Sequence, residues 1–148
     1  PYRILVTVRL KHFISAFGEH VIGEEVDFAL RQTMREMHAG VAEYTVAPQV
    51  NPANGGAPYH EWFVEFSQPP ANLEAFAHKM DENLQQRNSY YYDLRKGHVL
   101  QQLQVRVMKP GSFVDYMRLI GKLGGQNKVP RLMNDRRVAD VLEKLVRP

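Results

Sequence analysis

Lys128 and Arg131 bracket a Val129–Pro130 step, directly after a run, Gly124–Gly125–Gln126–Asn127, that closes a helical pattern. Glycine ends a helix readily because it accepts a positive φ, and proline pushes the residue before it out of helical conformation. The spacing therefore predicts an extended loop that presents Lys128. A lysine held in this way is a compact cation on a long stem. It is suited to neutralise phosphate oxygens while charge builds on them. The plain alternative is a solvated cation near a helix C-terminus. Arg131 suits either of two tasks, gripping phosphate or tying the loop to a local carboxylate, and Gln126 reads as a hydrogen-bonding loop residue.

Two other groupings bear chemistry. Gly18–Glu19 reads as a turn glycine followed by a glutamate, with solvation the ordinary fate of such a glutamate. Tyr90–Tyr91–Tyr92, flanked by Arg87, Arg95 and Lys96, mixes aromatic and basic residues in the way of surfaces that stack on bases. The nearby Lys96–Gly97–His98 lacks the aromatic that a ribonucleoprotein motif places after its glycine. These tyrosines read instead as a cover for a sheet edge, with their hydroxyls in water. His60–Glu61 opens like a zinc-protease motif, but Val64 occupies the place of the second histidine. No glycine-rich phosphate loop and no nucleophile elbow is present, and the six histidines are scattered, so no metal site is expected.

Composition narrows the classes further. The 148 residues suit one domain, 1–148, and 44% hydrophobic content supports a core. A net charge of +3 is too weak to argue for nucleic acid. The absence of cysteine excludes disulfides, thiolate catalysis and cysteine-ligated zinc, and suits a cytoplasmic protein. No apolar run reaches membrane-spanning length, so no membrane partner is expected.

The elements that would position these residues follow from periodicity. Alternation predicts strands over 2–10, 41–47, 59–66 and 103–108, with a short strand at 20–22 after a turn near Gly18. In 59–66, Trp62, Val64 and Phe66 share one face and Glu61 and Glu65 the other. Helical spacing predicts a helix over 24–38, with Glu24 and Glu25 in its first turn and Gly40 as its stop. A second helix starts at Asn72, a third follows a Ser112/Asp115 capping box and runs to 123, and a last one covers 135–146. The stretches 48–58 and 89–97 read as a loop and a polar connection. The order β-α-β-β-α-β predicts an α+β, ferredoxin-like split unit: a mixed sheet with helices mainly on one face and an extra C-terminal helix.

The segment from Leu103 to Arg131 resembles the C-terminal end of the auxin-responsive Gretchen-Hagen family of acyl acid amido synthetases. There a strand and a helix lead into a Gln-x-Lys-x-Pro-Arg element, here Gln126, Lys128, Pro130 and Arg131. Gly18–Glu19 and the aromatic strand 59–66 are also similar to the family. Asn127 departs from it, standing where plant members usually carry an aromatic residue. The resemblance implies a C-terminal cap domain of a longer ATP-dependent ligase, inactive when isolated. Such an enzyme adenylates a carboxylic acid and passes the acyl group to an amino acid. It further implies that Lys128 acts in adenylation, with Gln126 and Arg131 beside it at the nucleotide. Gly18 and Glu19 would lie at the inter-domain joint, and ATP with Mg would be bound mainly by an N-terminal adenylating domain. The rival expectation is a stand-alone ferredoxin-like module for a ligand or RNA.

Overall fold

A computed structural model describes residues 13–119 and 130–145. Two short strands, β1 (Phe13–Ile14) and β2 (Val21–Ile22), form a hairpin around the Gly18 turn. Helix α1 (Gly23–Met37) follows at once. Its amino end is satisfied from within, since the Ile22 N–H donates to Glu25 Oε1 at 3.0 Å. It buries Val26, Ala29, Leu30 and Thr33 along one stripe. Gly40 does not stop it. His38 takes the left-handed conformation at φ 54°, and the His38 and Ala39 N–H groups both turn back to the Met34 carbonyl. Gly40 instead opens the next strand, where an added Cβ would lie 2.6 Å from Ser67 Oγ.

Strands β3 (Gly40–Gln49), β4 (Tyr59–Gln68) and β5 (Gln104–Val107) make one mixed sheet in the order β3-β4-β5. β3 and β4 are antiparallel, with Val46 opposite Trp62; β4 and β5 are parallel, with Trp62 opposite Val105. The two strands read from alternation, 59–66 and 103–108, therefore share a sheet. The connection between them carries α2 (Leu73–Arg87), capped by Asn72, whose side chain accepts from the Ala75 N–H at 3.0 Å. The stretch 89–97 is not a plain connection. It holds α3 (Ser89–Lys96), because Asn88 caps it by accepting from the Tyr91 N–H at 2.8 Å and because Tyr91 is driven inward.

The architecture is α+β with a mixed sheet, as the element order implied. The expected strand 2–10 lies outside the described residues. Helices α1 and α2 cover one face over a core of Val26, Leu30, Tyr44, Val46, Trp62, Val64, Phe76, Met80 and Leu84. Phe66 joins that side edge-on to Phe76 at 5.3 Å. The opposite face is covered by α4 (Ser112–Leu119) and α5 (Arg137–Leu142, with a 3-10 turn at Glu143–Leu145), which bury Phe63, Phe113, Met117, Val138 and Leu142. Glu61 on that face is fully enclosed, gripped by Arg106 Nε and Arg136 Nη1 at 2.8 Å each. The Ser112/Asp115 capping box does not form. Ser112 Oγ donates to the Lys109 carbonyl at 2.6 Å, while Glu65 from β4 accepts from the Phe113 N–H at 3.3 Å. A carboxylate from the sheet caps that helix, which no local sequence pattern can report.

Candidate functional site

The segment 130–133 is built onto β3. The Val46 N–H donates to the Arg131 carbonyl at 2.8 Å and the Met133 N–H to the Val46 carbonyl at 2.9 Å. Leu132 thereby pairs with Val46 in parallel and buries its side chain in the main core. The buried Thr45 hydroxyl donates to the Pro130 carbonyl. Residues 130–133 are thus a one-bridge extension of the sheet at its β3 edge.

The Arg131 side chain lies half-exposed over a groove of about 320 Å³ lined by Asp27, Arg31, Met34, Glu43 and Tyr44. Its guanidinium reaches Asp27 at 3.6 Å and Glu43 at 3.5 Å and sits 5.2 Å from the centre of the Tyr44 ring. The Tyr44 hydroxyl donates to Asp27 at 2.7 Å, and its ring stacks on Trp62 at 5.1 Å. Burial, then the bond to Asp27, push the Tyr44 hydroxyl pKa far up, so it stays a donor. Of the two tasks open to Arg131, the described contacts are those of the tie to local carboxylates. Lys128 and Gln126 lie outside the described residues.

Gly18 adopts φ +86° and closes the turn with its N–H on the Ser15 carbonyl at 3.0 Å. Glu19 is not the solvated residue its sequence context suggests. It is fully buried and accepts from His60 Nε2 at 2.5 Å and from the Phe17 N–H at 2.9 Å. Burial alone would raise its pKa, but the hydrogen bond and charge of His60, together with backbone N–H groups, bring it below the ordinary carboxylate value. The hairpin that carries Gly18 and Glu19 is thereby pinned to β4. His60 is a buried partner of Glu19 on a strand, and no group of three or more potential ligands occurs among the described residues.

Asp81 was invisible to pattern reading as anything but a helix carboxylate. It faces inward on α2 and accepts from the Tyr91 hydroxyl at 2.5 Å, Arg95 Nε at 2.9 Å, Gln85 Nε2 at 2.6 Å and the Leu103 N–H at 3.1 Å. Tyr91 therefore neither meets water nor offers a stacking face, whereas Tyr90 and Tyr92 remain exposed. The available signal was position: Asp81 follows Met80 on the stripe that holds Phe76, Ala77 and Leu84.

A sheet with an appended edge segment, two long helices on one face and a pinned hairpin define a domain type that can be compared with known proteins. The chain belongs to the GH3 family C-terminal domain, whose pattern matches residues 24–137. Among solved structures it is similar to a GH3.15 acyl acid amido synthetase, with a TM-score of 0.73, 17% identity, and coverage of 93% of this chain and 26% of that chain. A second match is to "AtGH3.15 acyl acid amido synthetase in complex with 2,4-DB", with a TM-score of 0.70, 14% identity and the same coverages. These structural likenesses establish the fold, and the chain spans about a quarter of the length of those proteins. A search of curated protein sequences returns no match.

Proposed function

We propose that this chain is the mobile C-terminal domain of an ATP-dependent acyl acid amido synthetase working in the cytoplasm. In the proposed reaction a carboxylate attacks the α-phosphorus of ATP and expels pyrophosphate. The amine of an amino acid then attacks the acyl carbon, forming the amide and releasing AMP. The observation that carries this reading is the family match over 24–137, which brackets the Lys128 element.

The domain's part is to supply Lys128 to the first step and withdraw it for the second. An ammonium placed beside the α-phosphate oxygens stabilises charge that develops only in the transition state. Arg131 is already faced by two carboxylates. ATP and Mg are proposed to be bound mainly by an N-terminal adenylating domain of the same protein, a reading that the family match supports. Motion of a cap domain over such a site would exclude water and complete it. Gly18 and Glu19 are proposed at the joint, with the turn itself supplying the change of direction.

The test uses the full-length protein with ATP, Mg and a panel of acids such as benzoate, phenylacetate, 4-phenylbutyrate and octanoate, followed by each common amino acid. Pyrophosphate release that requires an acid, and amide formation that requires an amino acid, are expected. Lys128→Ala should slow the first half-reaction by about a hundred- to a thousand-fold, the range for loss of a preorganised electrostatic group. It should act much less on amide formation from presynthesised adenylate. Equal losses in both half-reactions, or none in the first, would remove Lys128 from this role.

A further inference from the structure

We propose that the groove between α1 and β3 is a binding site for a free α-amino acid with an apolar side chain. Amino acids are also the acceptors of the reaction proposed above, but the binding is read from the groove alone. Its volume of about 320 Å³ lies at the lower end of the range for small-molecule sites, which suits a ligand of that size. Four charged side chains line it: Asp27 and Arg31 from α1, Glu43 from β3 and Arg131 from the edge segment. Two carboxylates and two guanidiniums make the lining dipolar and without net charge. A phosphate would meet Asp27 and Glu43, and a simple cation would meet both arginines. A zwitterion sets each of its charges against the opposite one.

The four charges do not fully satisfy one another. Arg31 stands one turn after Asp27 on α1, at a spacing that permits an ion pair. It is nevertheless exposed and makes no ion pair or hydrogen bond with any described residue. Asp27 turns instead towards β3, where its Oδ1 accepts from the Tyr44 hydroxyl at 2.7 Å. Glu43 Oε1 accepts from the Tyr44 N–H at 3.1 Å. Arg131 reaches those same two oxygens at 3.6 Å and 3.5 Å, longer than the roughly 2.7–2.9 Å of a charge-assisted hydrogen bond. Asp27 Oδ2 and Glu43 Oε2 accept no hydrogen bond from a described residue, which leaves them for an ammonium. The ligand carboxylate would bridge Arg31 and Arg131. Its side chain would lie along Leu30, Met34 and Val41, the apolar part of the lining.

The experiment uses the full-length protein without ATP or acid substrate. Leucine is titrated by calorimetry into the parent and into Arg31→Gln, and the difference between the two isotherms reports this groove apart from any other site. A Kd of about 1 mM is the scale expected for so small a ligand in an open groove. Arg31→Gln and Glu43→Gln should each weaken binding by about ten- to a hundred-fold, the loss of one hydrogen bond to a charged group. Glu43→Gln keeps an oxygen for the Tyr44 N–H, and Arg31 has no described partner to strand, so both variants should melt within about 2 °C of the parent. Leucinamide, which lacks the carboxylate, and N-acetylleucine, which lacks the ammonium, should each bind the groove at least about tenfold more weakly than leucine. Identical isotherms for the parent and Arg31→Gln would overturn the proposal. So would either analogue binding there as tightly as leucine, or a loss in Arg31→Gln that Glu43→Gln does not share. Amide formation without groove binding would overturn this inference alone. Groove binding in a protein that forms no amide would support it and overturn the proposed reaction.

Discussion

Replacing His60 by phenylalanine should destabilise the 148-residue chain far more than the loss of one hydrogen bond. His60 is 1% exposed and Glu19 fully buried, and the ring nitrogen lies 2.5 Å from the carboxylate. The substitution keeps an aromatic ring between Phe17 and Tyr91 but leaves the buried carboxylate with backbone N–H partners only. Removing one member of such a buried pair typically costs about 3–5 kcal/mol, mostly as the penalty of the stranded charge. At roughly 3 °C per kcal/mol for a chain of this size, Tm should fall by about 9–15 °C. The double variant Glu19→Met/His60→Phe should melt above the single one, since an apolar pair removes the stranded charge. The pH dependence carries a sign. In the parent, Glu19 titrates below its ordinary value of 4.5, so its contribution is present above that pH and is lost as acid reaches the lowered value. In His60→Phe, burial would act on Glu19 without its main compensation and raise its pKa. The gap between variant and parent is therefore widest near neutrality and narrows towards about pH 4, where the carboxyl is protonated in the folded and unfolded variant alike. Scanning calorimetry between pH 4 and 8 checks both parts. A single variant melting within about 2 °C of the parent at pH 7, or a double variant showing additive losses, would refute the stranded-charge argument.

Tyr91→Phe should lower unfolding free energy by about 1.5–3 kcal/mol, the range for a hydrogen bond to a charged group, measured by urea denaturation with unchanged m-value. Arg136→Met should loosen the C-terminal helix, because Arg136 joins buried Glu61 to Asp140 and Glu143 and also reaches the Pro48 carbonyl. Limited proteolysis should then cut within 135–145 faster than in the parent while β4 stays protected. RNA should not bind tightly: on α3, Tyr90 and Tyr92 lie two residues apart and point away from each other, and Tyr91 is buried. A mobility-shift titration showing submicromolar, salt-sensitive binding lost on Tyr90→Ala/Tyr92→Ala would reverse that expectation.

The amphipathic stripes of α1 and α2, the helix start at Asn72 and the alternation in β3 to β5 are local properties, carried by residues a few positions apart. They were legible because 3.6- and 2-residue periods are written into the chain. The Gln126–Lys128–Pro130–Arg131 element was likewise legible as a motif, which is why family membership could be anticipated from it. Three things were not. The second covered face of the sheet was hidden because Glu61 and Glu65 lie on it, and Glu61 is buried only because arginines from β5 and the C-terminal segment pair with it. The helix α3 was hidden because Tyr90–Tyr91–Tyr92 has no apolar period of its own; Asn88 and Asp81 give it an end and an anchor. The fates of Glu19 and Arg131 depend on partners 41 residues away at His60 and, for Arg131, at Asp27 and Glu43 in other elements. Whether a charged side chain is solvated, buried or paired depends on the dielectric and the countercharges around it. Those exist only once distant segments have been brought together.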